Sequence, residues 1–416
     1  MTASWKKSYN PKPFLDSIEK CKCVDESGKV EYQGFDILTV PASINSMVQL
    51  DSRISEYEKY VMVREGIFEC GRKGKINKDN LVKIIRKYER EHLKAPNKKF
   101  ILMTTFSIDR FVKINKCSID GNVLTFTSSY PKKFYQNTKD VYSYHFTSSF
   151  TGKPPRDYIT IRSSVSAKST HDAFEKGLFS LNLMRGIWNL FFNRSTPISF
   201  RSHRTPINRI TLGPIHTLHH PNGKLASEEW MYEPDYRTPL KAYRPMNVGE
   251  LEKMLQFGKD MRRRLKQSSY EGDIKAAIVE YCQALDSYNW GTSFVELWSL
   301  LEHLTNTKNH SYDTTIKRAK FLCKDPDAAH QSLNYLREFR NSLVHVSKCG
   351  HGLDIFIFEL KYYVERLLGF HLFNNYKFKS IGEACQFLDL PFKDEDLKNK
   401  LDLVLKAQKF RRNMLR

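Results

Sequence analysis

The chain lacks the signatures of most enzyme classes. Nowhere in its 416 residues is there a P-loop, a Rossmann glycine fingerprint, a nucleophile elbow or a zinc-hydrolase pattern. Long apolar runs are missing as well: no stretch supplies the roughly 20 uninterrupted apolar residues of a membrane span, and the first residues have no signal-peptide core. The nearest approach, 177–192, is interrupted by Arg185 and Asn189 and reads as a buried helix. Cysteines are few and irregular, at 21, 23, 70, 117, 282, 323, 349 and 385, without the spacing of a disulfide scaffold. Only Cys21 and Cys23 stand close, with no second pair or nearby histidine to complete a structural zinc site. No repeat of fixed period is visible. These absences predict a soluble, cytoplasmic protein with reduced thiols, no cofactor, no metal and no membrane partner.

Negative charge is also scarce. Against 67 Lys+Arg stand 46 Asp+Glu, a formal net charge of +21 and a sequence pI near 9.5. Such an excess favours a polyanion, above all nucleic acid, as partner, and its plainer use is solubility. An apolar content of 40% over this length is enough for two or three units.

Residues 1–60 mix turn chemistry with short β-type runs such as 30–40, then pass into a helical pattern around 44–63. Leu81, Ile84, Ile85 and Tyr88 make 77–92 an amphipathic helix with a basic outer face. From 99 to 149 the pattern is β: runs at 100–106, 112–114, 123–127 after an Asp120-Gly121 turn, and 141–146, a small meander sheet. A strand at 158–164 and a helix at 171–193, capped by Ser169-Thr170 ahead of Asp172, follow. The 210–220 stretch reads as a strand holding His216, His219 and His220. Because 216 and 220 face one way and 219 the other, with Glu228 and Glu229 beyond a turn, no metal set is specified. Three prolines between 234 and 245 mark a linker. Beyond it the period is helical: 247–267, 270–287, 291–306, 312–324, 326–346, 352–373, 380–388 and 393–410. The expected class is therefore α+β, with a mixed α/β domain at 1–240 carrying a small antiparallel sheet. An all-α bundle with a C-terminal helical extension follows at 247–416.

One helix of that bundle is unusual. Leu333, Leu336, Phe339 and Leu343 form an apolar stripe, and Arg340 falls inside its arc. A guanidinium there needs a partner. Asn341 and His345, four apart, share another face beside Asn334 and Glu338. In the 291–306 helix, Phe294, Leu297, Trp298, Leu301 and Leu304 make the core stripe and Glu302 stands on its rim, the first choice as partner for Arg340. Glu296, on the opposite face, is the weaker candidate. An arginine with an Asn/His pair within two turns has the chemistry to hold a phosphate and move a proton. The plainer reading is a structural Arg340–Glu302 ion pair beside an idle His345.

The Arg340-Asn341-x-x-x-His345 string resembles the R-x4-6-H signature of HEPN-domain ribonucleases. The 294–304 segment, with Trp298 and Glu302, is similar to the aromatic-acidic helix of the Apea-like HEPN branch. The resemblance covers roughly 247–375 and does not extend to 1–240. It implies metal-independent endoribonuclease chemistry in which Arg340 neutralises phosphorane-like charge, His345 moves the 2′-OH proton and Asn341 orients the histidine or the phosphate. Products would carry a 2′,3′-cyclic phosphate and a 5′-OH, and DNA would not be cut. It further implies a homodimer with Arg/His pairs across a shared cleft, RNA as partner, and a place in prokaryotic antiviral, abortive-infection defence. The first 240 residues would then act as sensor or RNA-binding domain. A second match to the bare pattern, Arg366 to His371, lacks the asparagine, contains Gly369 and lies near a helix end; it reads as a chance match. Two other functions compete: a non-catalytic nucleic-acid or nucleotide-binding protein dimerising through the bundle, and an enzyme in the β-containing half, for which no motif speaks.

Overall fold

The computed structural model describes residues 3–24, 30–148, 155, 157–194, 206–228, 231–233, 236, 240–307, 312–346 and 353–414, without the side chains of 140, 142, 144–148 and 344–346. The chain is α+β. In order its elements are β1 (Ser4–Trp5), α1 (Lys12–Lys20), β2 (Lys22–Val24), β3 (Val30–Tyr32), α2 (Asp36–Met47), β4 (Val48–Gln49), α3 (Glu56–Lys73), α4 (Lys78–Lys94) and β5 (Lys98–Asp109). Then come β6 (Cys117–Ile119), β7 (Asn122–Thr127), α5 (Lys132–Ser148), β8 (Tyr158–Ala167), α6 (Thr170–Asn193), β9 (Ile215–His219) and β10 (Met231–Tyr232). The remainder is helical: α7 (Val248–Gln267), α8 (Glu271–Ala284), α9 (Trp290–Leu304), α10 (Tyr312–Lys320), α11 (Pro326–Val346), α12 (Leu353–Phe373), α13 (Ile381–Leu388) and α14 (Asp394–Met414).

Two compact units do not follow the expected junction near 240–247, and of the 234–245 linker residues 236 and 240–245 are described. The first unit comprises 1–102, 164–177 and 218–229. Its core joins Ile18, Ile44, Val63, Ile67, Leu81 and Ile85 from α1 to α4. Side-chain caps start two of these helices: Ser55 accepts from the Glu58 amide at 3.3 Å, and Asn77 from Asp79 and Asn80 at 3.1 and 2.9 Å. Buried Glu89 accepts from the Ala3 and Asp51 amides at 2.7 and 2.9 Å, which ties the N-terminal strand region to α4.

The second unit comprises 103–163, 178–217 and 230–416. Most of a six-stranded sheet belongs to it, in the order β10-β9-β5-β8-β7-β6, so β5 lies between strands far from it in sequence and the sheet is no meander. The β6–β7 hairpin forms as expected on Asp120 and Gly121, with φ of 48° and 77°, the left-handed pair of a type I′ turn. Two expected strands are absent: 112–114 is loop, and 141–146 belongs to α5, which buries Phe134 and Thr138 one turn apart. Likewise 36–40 opens α2, where Val40, Ile44 and Met47 bury a helical stripe despite β-branched residues and Pro41. Local β-propensity gives way to burial at a period of 3.6 in both places.

All eight C-terminal helices lie where the periodicity puts them. α9 is the hub, packing against α8, α10, α11 and α12, with Phe294, Leu297, Trp298, Leu301 and Leu304 buried. Close approach seats α6 on two of its neighbours. A Cβ on Gly258 would meet the Trp188 indole nitrogen at 2.8 Å, and one on Gly186 would meet Ile278 at 2.9 Å. α14 buries none of its residues. Among the described residues no helix is long and apolar enough to cross a membrane.

Candidate active site

α11 starts on Asp325, whose carboxylate accepts from the amides of Asp327 and Ala328 at 3.1 and 2.9 Å. Its stripe seats as expected: Leu333 and Leu336 are fully buried, and Phe339 meets Phe294 edge-on at 5.1 Å. Arg340 is held half-buried in line with that stripe.

The expected ion pair between Arg340 and Glu302 is not formed. Glu302 instead accepts a hydrogen bond from the Trp298 indole one turn earlier, at 2.9 Å. Arg340 lies over the ring of Tyr312, 5.8 Å from its centroid, and Tyr312 in turn meets Trp298 edge-on at 6.2 Å. The guanidinium therefore leans on an aromatic face rather than a carboxylate. Among the described residues it also makes a long hydrogen bond from Nη1 to Asn341 Oδ1, 3.4 Å. Its Nε is buried without a partner. Among the described residues no carboxylate pairs with Arg340. Its neighbours behave differently: Arg337 bonds Asp313 at 3.0 Å, and Arg318 binds Asp389 through Nε and Nη2 at 2.9 and 2.7 Å.

Asn341 is thus brought to Arg340, while Glu302 joins the group only through Trp298 and Tyr312. Glu296, the weaker candidate partner, lies at a separate cavity. The backbone of His345 continues α11 one turn past Asn341, and its side chain lies outside the described residues. An arginine with unspent donors, held over an aromatic ring, has a fork to offer a phosphoryl oxygen.

The second match is a structural pair of residues. His371 is 1% exposed, its Nδ1 facing the Tyr270 hydroxyl at 3.2 Å and its Nε2 facing the Leu304 carbonyl at 2.8 Å. Burial pushes its pKa down to about 4, against the pull of that carbonyl. It is packed into the bundle core rather than frayed. Arg366 bonds the Tyr362 hydroxyl and the Leu322 carbonyl, while its Nε is buried without a partner.

Sequence reasoning missed Tyr312, whose role exists only once α10 meets α11. It also missed a second charged group, assembled from residues far apart in the chain. Arg185, 1% exposed, pairs with Asp286 at 2.5 Å and takes Asn182 Oδ1 at 2.7 and 2.9 Å. Burial raises Asp286 to about 6, although Arg185 pulls the other way. His216 bridges Thr104 at 2.7 Å and Glu233 at 3.0 Å rather than Glu228, and Glu229 lies outside the described residues. His219 turns to the Gly223 carbonyl and His220 stacks on Phe100, so the three histidines serve three places.

No family model, curated protein or solved structure matches this chain.

Proposed function

We propose that the chain is a metal-independent endoribonuclease of the HEPN type, acting in the cytoplasm as a homodimer in prokaryotic antiviral defence. The observation that carries this reading is Arg340: half-buried on a bundle helix, seated on Tyr312, with no carboxylate to neutralise it among the described residues. A cation kept unpaired in such a place costs stability, and an anionic substrate recovers that cost. RNA fits the formal net charge of +21.

In this reading Arg340 binds the non-bridging oxygens of the scissile phosphate as charge builds on them. Asn341 Oδ1, already in contact with Nη1, orients the fork. His345 accepts the proton of the 2′-OH as O2′ attacks phosphorus, and an imidazolium returns a proton to O5′ as the P–O5′ bond breaks. The strand is left with a 2′,3′-cyclic phosphate on one side and a 5′-OH on the other. Two-fold pairing of protomers places two such sets in one cleft, so one histidine can serve as base and the other as acid. The N-terminal part then senses the trigger or binds RNA.

Purified protein incubated with structured RNA in EDTA tests the assignment. Cleavage is expected from the unaltered chain and a loss of about 100-fold or more in Arg340→Ala and in His345→Ala. Cleavage that persists in both variants overturns the site. A chain that binds RNA through Arg340 without cutting it favours the non-catalytic reading.

A further inference from the structure

Between β5, β8 and α5, wholly within 103–163, lies a cavity of about 360 Å³. That volume is within the roughly 300–1,000 Å³ of ordinary small-ligand sites. Its floor is threonine: Thr105 on β5 and Thr160 on β8. Its walls carry two cations, Arg110 just past β5 and Lys139 on α5, together with Tyr130 and Tyr135. Among the described residues no Asp or Glu lines it.

Two of these groups are left wanting a partner. Thr105, one of the lining residues, is 5% exposed, and its hydroxyl is buried with no hydrogen bond. A buried hydroxyl in that state is unfavourable unless a ligand or water meets it. Arg110 is in a similar position: its Nε is buried and unbonded, and its guanidinium lies over the Phe111 ring at 4.8 Å rather than on a carboxylate. The adjacent carboxylate, Asp109, is taken by Arg244. Two cations with no ion pair among the described residues, an unbonded buried hydroxyl and two tyrosine rings around one cavity fit an anion attached to a planar ring with hydroxyls between them.

We propose that this cavity binds a nucleoside phosphate, with the phosphate on Arg110 and Lys139, the ribose hydroxyls at Thr105 and Thr160, and the base against Tyr130 or Tyr135. The same chemistry is offered by a free nucleotide and by the end of an RNA strand. The site shares no residue with the Arg340 group and does not depend on the ribonuclease reading.

Calorimetric titration of the full chain tests it with the four ribonucleoside 5′-monophosphates, the matching nucleosides, inorganic phosphate and a hexanucleotide 2′-O-methylated at every ribose but the 3′-terminal one, which cannot be cut. At least one monophosphate is expected to bind in the micromolar range, with its nucleoside and inorganic phosphate each at least 10-fold weaker. Arg110→Gln, Thr105→Val and the surface variant Lys139→Gln should each weaken it at least 10-fold while the melting temperature stays unchanged. A hexanucleotide tighter than the monophosphate, with the same sensitivity, assigns the site to RNA ends; a weaker one assigns it to free nucleotides. The proposal is overturned if no monophosphate binds below millimolar concentration, if inorganic phosphate binds equally well, or if Lys139→Gln changes nothing. None of these readouts uses RNA cleavage, so failure here leaves the ribonuclease reading where its own test puts it.

Discussion

Arg340 differs from Arg337 and Arg318 in how its charge is used. Arg337 and Arg318 are spent on Asp313 and Asp389, whereas Arg340 has an aromatic face and one long contact to Asn341. A lysine in its place keeps the charge and loses the planar fork. Arg340→Lys is expected to lower the rate of RNA cleavage about 10-fold or more while leaving unfolding by urea unchanged; equal rates would show that charge alone suffices. His371 makes a different statement at the same scale. With its pKa depressed to about 4 in the fold against about 6.5 in the unfolded chain, it contributes stability that is full above pH 6.5 and lost as pH falls toward 4. Relative to His371→Gln, the unaltered chain should lose about 2 kcal/mol between pH 7.5 and pH 5 in urea titrations. A difference that does not change with pH would contradict the buried, neutral ring. The misplaced arginine was legible in the sequence because periodicity is local. Its seat on Tyr312 was not, since that contact joins residues on separate helices, and Glu302, the natural guess by charge, is bonded to Trp298.

At the scale of elements, helices were the readable part. The cap at Ser169 and sustained 3.6-residue stripes placed α4, α6 and α7 to α14 within a few residues. The sheet was harder, because the order β9-β5-β8 is set by contacts that no short window contains. Residues 141–146 were misleading for another reason: Val141, Tyr142 and Tyr144 favour strands individually, but Phe134 and Thr138 already anchor a helix. Helix seating itself is open to test. Gly258 on α7 lets that helix approach the Trp188 indole, and a methyl group there would stand 2.8 Å from Nε1. Gly258→Ala is therefore expected to destabilise the second unit by about 1–3 kcal/mol, read as a lower melting temperature. An unchanged melting temperature would mean that α6 and α7 are not in close contact.

For the whole molecule, the α+β class was legible from the switch of period, while the grouping of segments was not. The second compact unit collects 103–163 and 178–217 with the helices beyond 230, so sheet strands and bundle belong to one body. Buried charge shows the same dependence on distant contacts: Arg185 on α6 reads as an interruption of an apolar helix until Asp286, a hundred residues later, neutralises it. The excess of 67 basic over 46 acidic residues was plain from the start and favours a polyanion as partner. What joins these scales is the claim that α11 carries out cleavage through the substrate's own 2′-OH. The most direct test is to map the cut in an RNA substrate, replace the single ribose on its 5′ side with 2′-deoxyribose, and repeat the reaction in EDTA. Loss of cleavage at that bond alone, with 2′,3′-cyclic phosphate ends at the cuts that remain, is the predicted result. Continued cleavage at the deoxy position, or 5′-phosphate ends, would contradict it.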